Sequence, residues 1–137
     1  MDPAVGMLER LCAATNAHDL DAIVACFKAD YRNETPAHPQ RSFNGNGQVR
    51  RNWEMILAAM PDITTEVTRS AVDGTTVWSE WEHRGTRADG TTHVMRGVII
   101  FGVEDGQAAW ARFYLEPVEH GGGDHNEFIP RQLGSRP

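Results

Sequence analysis

Three Asp-Gly pairs, Asp73-Gly74, Asp89-Gly90 and Asp105-Gly106, punctuate the second half of the chain, each 16 residues after the last. Asp-Gly between strand-like runs is among the strongest short hairpin signals, because glycine supplies the positive φ that a tight turn needs. The runs between and around them, ITTEVTRSAV, TTVWSEWEHRGTR, TTHVMRGVIIFGV and QAAWARFYLEPVE, are rich in β-branched and aromatic residues. Three such turns joining these runs predict a four-stranded antiparallel meander. They are hairpin punctuation, not a repeat architecture.

Ahead of the meander the periodicity is helical. Asp2-Pro3 is a good helix opening, with Asp as N-cap and Pro at the first helical position, and Leu8, Leu11, Cys12 and Thr15 then share one face. NAHDLDAIVACF restarts the pattern, with Asp19 as N-cap and Leu20, Ile23, Val24 and Phe27 as its apolar stripe. YRNETPAHPQRSFNGNG, with two prolines and two glycines, reads as a short strand followed by a long loop. A third helix carries Val49, Trp53, Ile56, Leu57 and Met60 on one face and is ended by Pro61. Helices segregated onto one face of an antiparallel sheet make an α+β domain. A strongly twisted sheet wrapped around the three N-terminal helices leaves a concave space for a ligand. A chain of 137 residues fits one such domain, expected over residues 1–118, with the Gly-rich polar stretch 119–137 as a flexible tail.

Composition narrows the partners. A net charge of −6 argues against nucleic acid, which needs clustered Lys and Arg, and against an anionic membrane surface. No apolar run approaches the roughly 18–20 residues of a membrane span. The N-terminal MDPAVGMLERL lacks the basic and apolar regions of a secretion signal. Cys12 and Cys26 both fall in segments read as helical and lack metal-type spacing, so they read as small buried apolar residues in a reduced, cytoplasmic setting. There is no P-loop, Rossmann glycine pattern, nucleophile elbow or compact metal-ligand set, and the expectation is no cofactor and no metal.

The stretch VWSEWEHRG carries the sharpest chemical question. Alternation puts Val77, Ser79, Trp81 and His83 on one face and Trp78, Glu80, Glu82 and Arg84 on the other. The charged face should meet solvent or a partner subunit, which turns His83 inward beside Trp81. An inward histidine is either a general acid or base or a satisfied wall residue. On the last strand Ala111, Phe113 and Leu115 form the apolar face, so simple alternation turns Arg112, Tyr114 and Glu116 outward. Arg96 lies on the strand between. It either pairs with Glu116, the preferred reading because a buried arginine needs a partner, or holds an anionic group of a substrate. Trp53, Met60, Trp81 and Phe101 read as core and pocket wall, and His38 as part of a surface loop.

AHDLDAIVACFKAD, the proline and glycine ahead of the third helix, MPDITTEV, GTTVWSEWEHRGTR and FGVEDGQAAWARFYLE together resemble the SnoaL-like family of the nuclear transport factor 2-like superfamily. The resemblance spans roughly residues 5 to 118 and implies the cone-shaped α+β fold. The superfamily contains polyketide cyclases, ketosteroid isomerases, limonene-epoxide hydrolases and non-catalytic binding domains, so the resemblance alone fixes no activity. The isomerases' catalytic aspartate falls at Thr35, their tyrosine near Leu11, and their second aspartate on 94–101, which has no carboxylate. That mechanism is excluded. The epoxide hydrolases' two carboxylates fall at His83 and Glu116, their arginine at Trp81, and their tyrosine and asparagine at Asn33 and Thr35. The cyclases' late aspartate falls closest to Phe113, or at Glu116 if a one-residue bulge shifts the match.

By this resemblance Glu116 faces the pocket, against simple alternation; a single bulge or a three-residue turn at Asp105-Gly106 would reconcile the two. The expectation is a pocket for a small apolar metabolite, polyketide- or terpenoid-like, with cyclisation, isomerisation or water addition by proton transfer. His83 acts as general base or acid, and Glu116 orients it or shares its proton. Asn33, Thr35, Trp53, Trp81, Arg96 and Tyr114 complete the expected substrate-binding set. The alternative is a non-catalytic ligand-binding or accessory domain, since each family constellation is incomplete here. Trp78 and Trp110 on the outer sheet face suggest a homodimer formed through the sheets.

Overall fold

The computed structural model describes residues 2–134. It shows the expected α+β architecture, a curved, unclosed six-stranded sheet with helices against its concave face. Helix α1 (Pro3–Asn16) opens as its sequence predicts, the Asp2 carboxylate accepting the Ala4 N–H at 2.8 Å. Its buried face, Met7, Leu8, Leu11, Ala14 and Thr15, supplies much of the core. Helix α2 (Leu20–Ala25) is capped by Asp19, which accepts from Ala22 N–H. It is shorter than its stripe suggested. Cys26 is its C-cap and Phe27 already belongs to strand β1 (Phe27–Glu34), because Phe27 pairs with Ala108 across the sheet. Tertiary pairing outweighs helical periodicity at this one residue.

The stretch expected as one long loop contains a 3₁₀ turn (Pro39–Arg41) and a two-residue strand, β2 (Phe43–Asn44), which pairs with β1. Helix α3 (Asn46–Ala59) follows. The expected meander is present as β3 (Thr64–Asp73), β4 (Thr76–Thr86), β5 (Thr92–Glu104) and β6 (Gln107–Pro117), all paired antiparallel. At the third turn both Asp105 (φ 52°) and Gly106 (φ 75°) take positive φ, closing β5 onto β6 with two residues. The sheet order is β2-β1-β6-β5-β4-β3. The sheet is not purely antiparallel, since β1 and β6 run parallel. This follows from the route of the chain, which leaves β1, crosses through α3 and the meander, and returns in the same direction.

Curvature is built in at two kinds of position. Thr68 in β3 and Ala109 in β6 have no partner in otherwise continuous ladders, the signature of bulges that bend a strand. Gly97 in β5 has φ 150°, and a Cβ there would run into the backbone carbonyl of Tyr114. Only glycine lets the two strands approach so closely. Past β6, residues His125–Gln132 form helix α4, capped by Asp124 and exposed along its whole length. No helix among the described residues is long and apolar enough to cross a membrane.

Candidate functional site

The apolar stripe of α3 is only partly packed. Val49 is buried and Leu57 packs against the core, but Trp53 and Ile56 remain half-buried where they line a hollow. That hollow is a pocket of about 280 Å³ between α3 and the sheet. Its far wall is apolar, with Phe113, Leu115 and Met95 projecting from β6 and β5. Its polar edge comes from β1, whose alternation sends Tyr31, Asn33 and Thr35 inward in a row. The Tyr31 hydroxyl donates to Asn33 Oδ1 at 2.7 Å, and Asn33 Nδ2 donates to Thr35 Oγ1 at 3.4 Å. Phe27 and Phe43 hold the Tyr31 ring by edge contacts at centroid distances of 4.8 and 6.0 Å. Burial pushes the Tyr31 phenol well above its ordinary value, so it stays a neutral donor. The second Asn33 N–H and the Thr35 hydroxyl hydrogen remain for an acceptor oxygen inside the pocket.

His83 adds an imidazole to a polar lining that also includes Arg41 and Asn52. It lines the pocket and also a second, inner chamber of about 50 Å³ walled by Leu11, Phe101 and Trp81. Its ring sits between Trp53 and Trp81, at centroid distances of 6.1 and 5.8 Å. Trp81 is itself fixed, its indole N–H donating to Ser79 Oγ at 2.9 Å while Ser79 donates to the Ile99 carbonyl at 2.7 Å. Burial among these groups holds the His83 pKa at about 4, with the charge of His93 as a smaller contributor in the same direction. The imidazole is therefore neutral at neutral pH. No described residue hydrogen-bonds to it, and no fully buried side-chain nitrogen or oxygen among the described residues lacks a partner. Its ring nitrogens are therefore not fully buried, and the side chain lines the cavity.

The structure gathers five of the expected residues, His83, Asn33, Thr35, Trp53 and Trp81, around the pocket and its inner chamber. It sends the other three elsewhere. Glu116, expected in the pocket by resemblance, follows the alternation of β6 to the opposite face from Leu115, and its carboxylate meets His38 Nε2 at 2.8 Å. The bulge that could have turned it inward exists, but at Ala109, upstream of the inward set Ala111, Phe113 and Leu115. Arg96 is also on the outer face. It pairs with Glu82 rather than Glu116, Nε to Oε2 at 2.8 Å. Arg96 first, then Arg84, holds the Glu82 carboxyl below the usual carboxylate range. Tyr114 is 40% exposed on that same face.

Of the polar lining residues, Tyr31, Arg41 and Asn52 escaped the sequence reading. Tyr31 could have been found by extending the inward alternation of Asn33 and Thr35 two residues back. Arg41 sits in the 3₁₀ turn at the mouth, and no periodicity signals it. Among the described residues, no three His, Cys, Asp or Glu side chains gather as a metal cage.

The sequence pattern of the SnoaL-like domain matches residues 8–111. The chain belongs to the SnoaL-like family. No curated protein sequence matches it significantly. Solved structures do. A nuclear transport factor 2-like protein of unknown function from Burkholderia pseudomallei shares 15% identity at a TM-score of 0.72, over 85% of this chain and 92% of that one. A Mycobacterium tuberculosis protein solved with estradiol-17β-hemisuccinate shares 18% at 0.72, over 83% and 94%. A Jannaschia protein described as a SnoaL-like polyketide cyclase shares 18% at 0.70, over 83% and 85%. At such identities the likeness shows the fold alone, and the fold is nuclear transport factor 2-like.

Proposed function

We propose that this SnoaL-like chain binds a small, mostly apolar metabolite carrying a carbonyl or hydroxyl oxygen, and acts on it by proton transfer through His83. The observation that carries this reading is an imidazole, without a hydrogen-bond partner among the described residues, in the wall of a mostly apolar cavity edged by Asn33 and Thr35. Asn33 and Thr35 would hold the ligand's oxygen, and Trp53 and Phe113 would flank its apolar body. The neighbour solved with a steroid ester supports an apolar, ring-containing ligand class. A neutral imidazole is ready to accept a proton but is a weak base with its pKa at about 4. It therefore suits an already acidic C–H or a polarised hydroxyl. Cyclisation, isomerisation and water addition are the reaction classes it can serve.

Binding without turnover is the second reading, and one observation favours it: among the described residues no carboxylate lines the pocket. A panel of cyclic ketones, enones and epoxides, assayed for binding and for turnover with the His83→Gln variant alongside, separates the two. Loss of turnover by about a hundredfold or more with binding kept supports proton transfer by His83. Unchanged turnover in the variant removes that assignment, and binding with no turnover on any member favours the second reading.

The outer sheet face, with Trp78 51% exposed beside Tyr114, supports a homodimer formed through the sheets. Size-exclusion chromatography with light scattering tests it, and a monomer at micromolar concentration would refute it. The two free cysteines support a reducing, cytoplasmic setting.

A further inference from the structure

The mouth of the pocket holds an exposed arginine that pairs with no carboxylate among the described residues. Arg41 ends the 3₁₀ turn Pro39–Arg41 and lines the pocket beside Thr35 and Phe43. The turn is tied down on both sides. The Arg41 N–H donates to the His38 carbonyl at 2.9 Å, the Thr35 N–H donates to Ser42 Oγ at 3.0 Å, and the His38 ring meets Glu116. The backbone of Arg41 is thus carried on an anchored turn, while its exposed side chain makes no ion pair or side-chain hydrogen bond to a described residue.

Most other described arginines are engaged, and the three that also lack an ion pair or side-chain hydrogen bond to a described residue, Arg32, Arg51 and Arg69, do not line this pocket. Arg84 and Arg96 share Glu82, Arg50 pairs with Asp21, and Arg112 with Glu34. Arg87 is spent on its own hairpin, bonding Thr91 and the Thr92 carbonyl. In a chain of net charge −6, acidic partners are plentiful, yet none stands among the groups that line this pocket. The nearest loop histidine, His38, already engages Glu116. An unpaired guanidinium beside a carboxylate-free apolar cavity selects for an anion on the ligand.

We infer that the ligand of this pocket carries a carboxylate, which docks on Arg41 at the mouth while its apolar body lies between Trp53 and Phe113. The inference rests on the pocket being the ligand site, as proposed above. It adds the ligand's charge and orientation. The carboxylate stays at the rim, and the end remote from it points toward His83 and the inner chamber.

The test uses two probes of one shape, 2-naphthoate and the neutral 2-naphthamide, titrated into the full chain. The readout is the indole N–H resonance of Trp53, with that of Trp78 on the outer face as a control for binding elsewhere. Wild type is expected to bind the naphthoate about three- to fivefold more tightly than the amide, the size expected of one solvent-accessible charge pair. The preference should shrink at high salt. Arg41→Met should abolish it while leaving amide affinity unchanged, and Arg41→Lys should keep part of it. Equal binding of both probes at Trp53, with no change in Arg41→Met, overturns the carboxylate assignment and leaves the pocket standing. Equal weakening of both probes in Arg41→Met also overturns it, by showing a structural role. A Trp53 resonance that neither probe moves overturns the pocket reading and this inference together.

Discussion

Replacing His83 with Gln should make the fold markedly less sensitive to acid. In the native state the imidazole resists protonation down to about pH 4, against an ordinary value of 6.5. Between those values the unfolded chain binds a proton that the folded chain refuses, so native stability falls as the pH drops. This contribution is fully present above pH 6.5, declines through the window, and stops changing below pH 4, where both states are charged. The slope inside the window is about 1.4 kcal/mol per pH unit. Acidification from pH 7 to pH 5 crosses roughly 1.5 units of it, which costs wild type about 2 kcal/mol through this one group.

His93, Asp62, Glu82 and Asp89 are also held below their usual values and lose stability in acid with the same sign. They are present in both proteins, so they cancel in the comparison. The assay is urea denaturation of wild type and His83→Gln at pH 7 and pH 5. The expected result is a midpoint drop in wild type exceeding that of the variant by about 1 M, for a urea dependence of roughly 2 kcal/mol per M. Equal acid sensitivity in the two proteins would refute the claim that burial keeps His83 neutral.

Other outcomes follow from the same geometry. Tyr31→Phe should cost about 1–3 kcal/mol in urea denaturation, because the buried Asn33 carbonyl loses the hydroxyl that satisfies it. Gly97→Ala should destabilise by at least about 2 kcal/mol or prevent folding, since the positive φ and the Tyr114 carbonyl leave no room for a methyl; circular dichroism melting checks it. Glu116→Gln should leave the affinity for neutral naphthamide in a calorimetric titration unchanged, its carboxylate being outside the pocket, and a large loss would reinstate it as a site residue. A chain ending at residue 118 should keep the Trp53 response to naphthamide, since every lining residue falls within 1–118.

The meander was legible because its information is local. Each Asp-Gly turn and each alternating run can be read within about ten residues, and His83 was oriented by Val77, Ser79 and Trp81 in its own strand. Glu116 shows where two sequence arguments collide. Alternation gave its direction correctly, while resemblance to relatives placed it in the pocket; the face a side chain takes is set by the register of its own strand, not by the role of the matching position elsewhere. Arg96 was placed correctly beside a carboxylate but with the wrong one, because Glu82 and Glu116 are its cross-strand neighbours on opposite sides and sequence cannot choose between them. Arg41 and the parallel pairing of β1 with β6 lay beyond reach for one reason. Both depend on how segments far apart in sequence are brought together.

That parallel pairing sets the order in which the molecule can be finished. The Gln107 side chain holds the Ala25 carbonyl across 82 positions of chain, and Phe27 pairs with Ala108 beside it. Closing so long a loop is entropically expensive and slows folding relative to a chain of local contacts. A ribosome must therefore deliver β6 before β1 has a neighbour on that side, and until then Tyr31, Asn33 and Thr35 have no wall opposite them. The hairpins can form while the chain is still growing, but the cavity closes last.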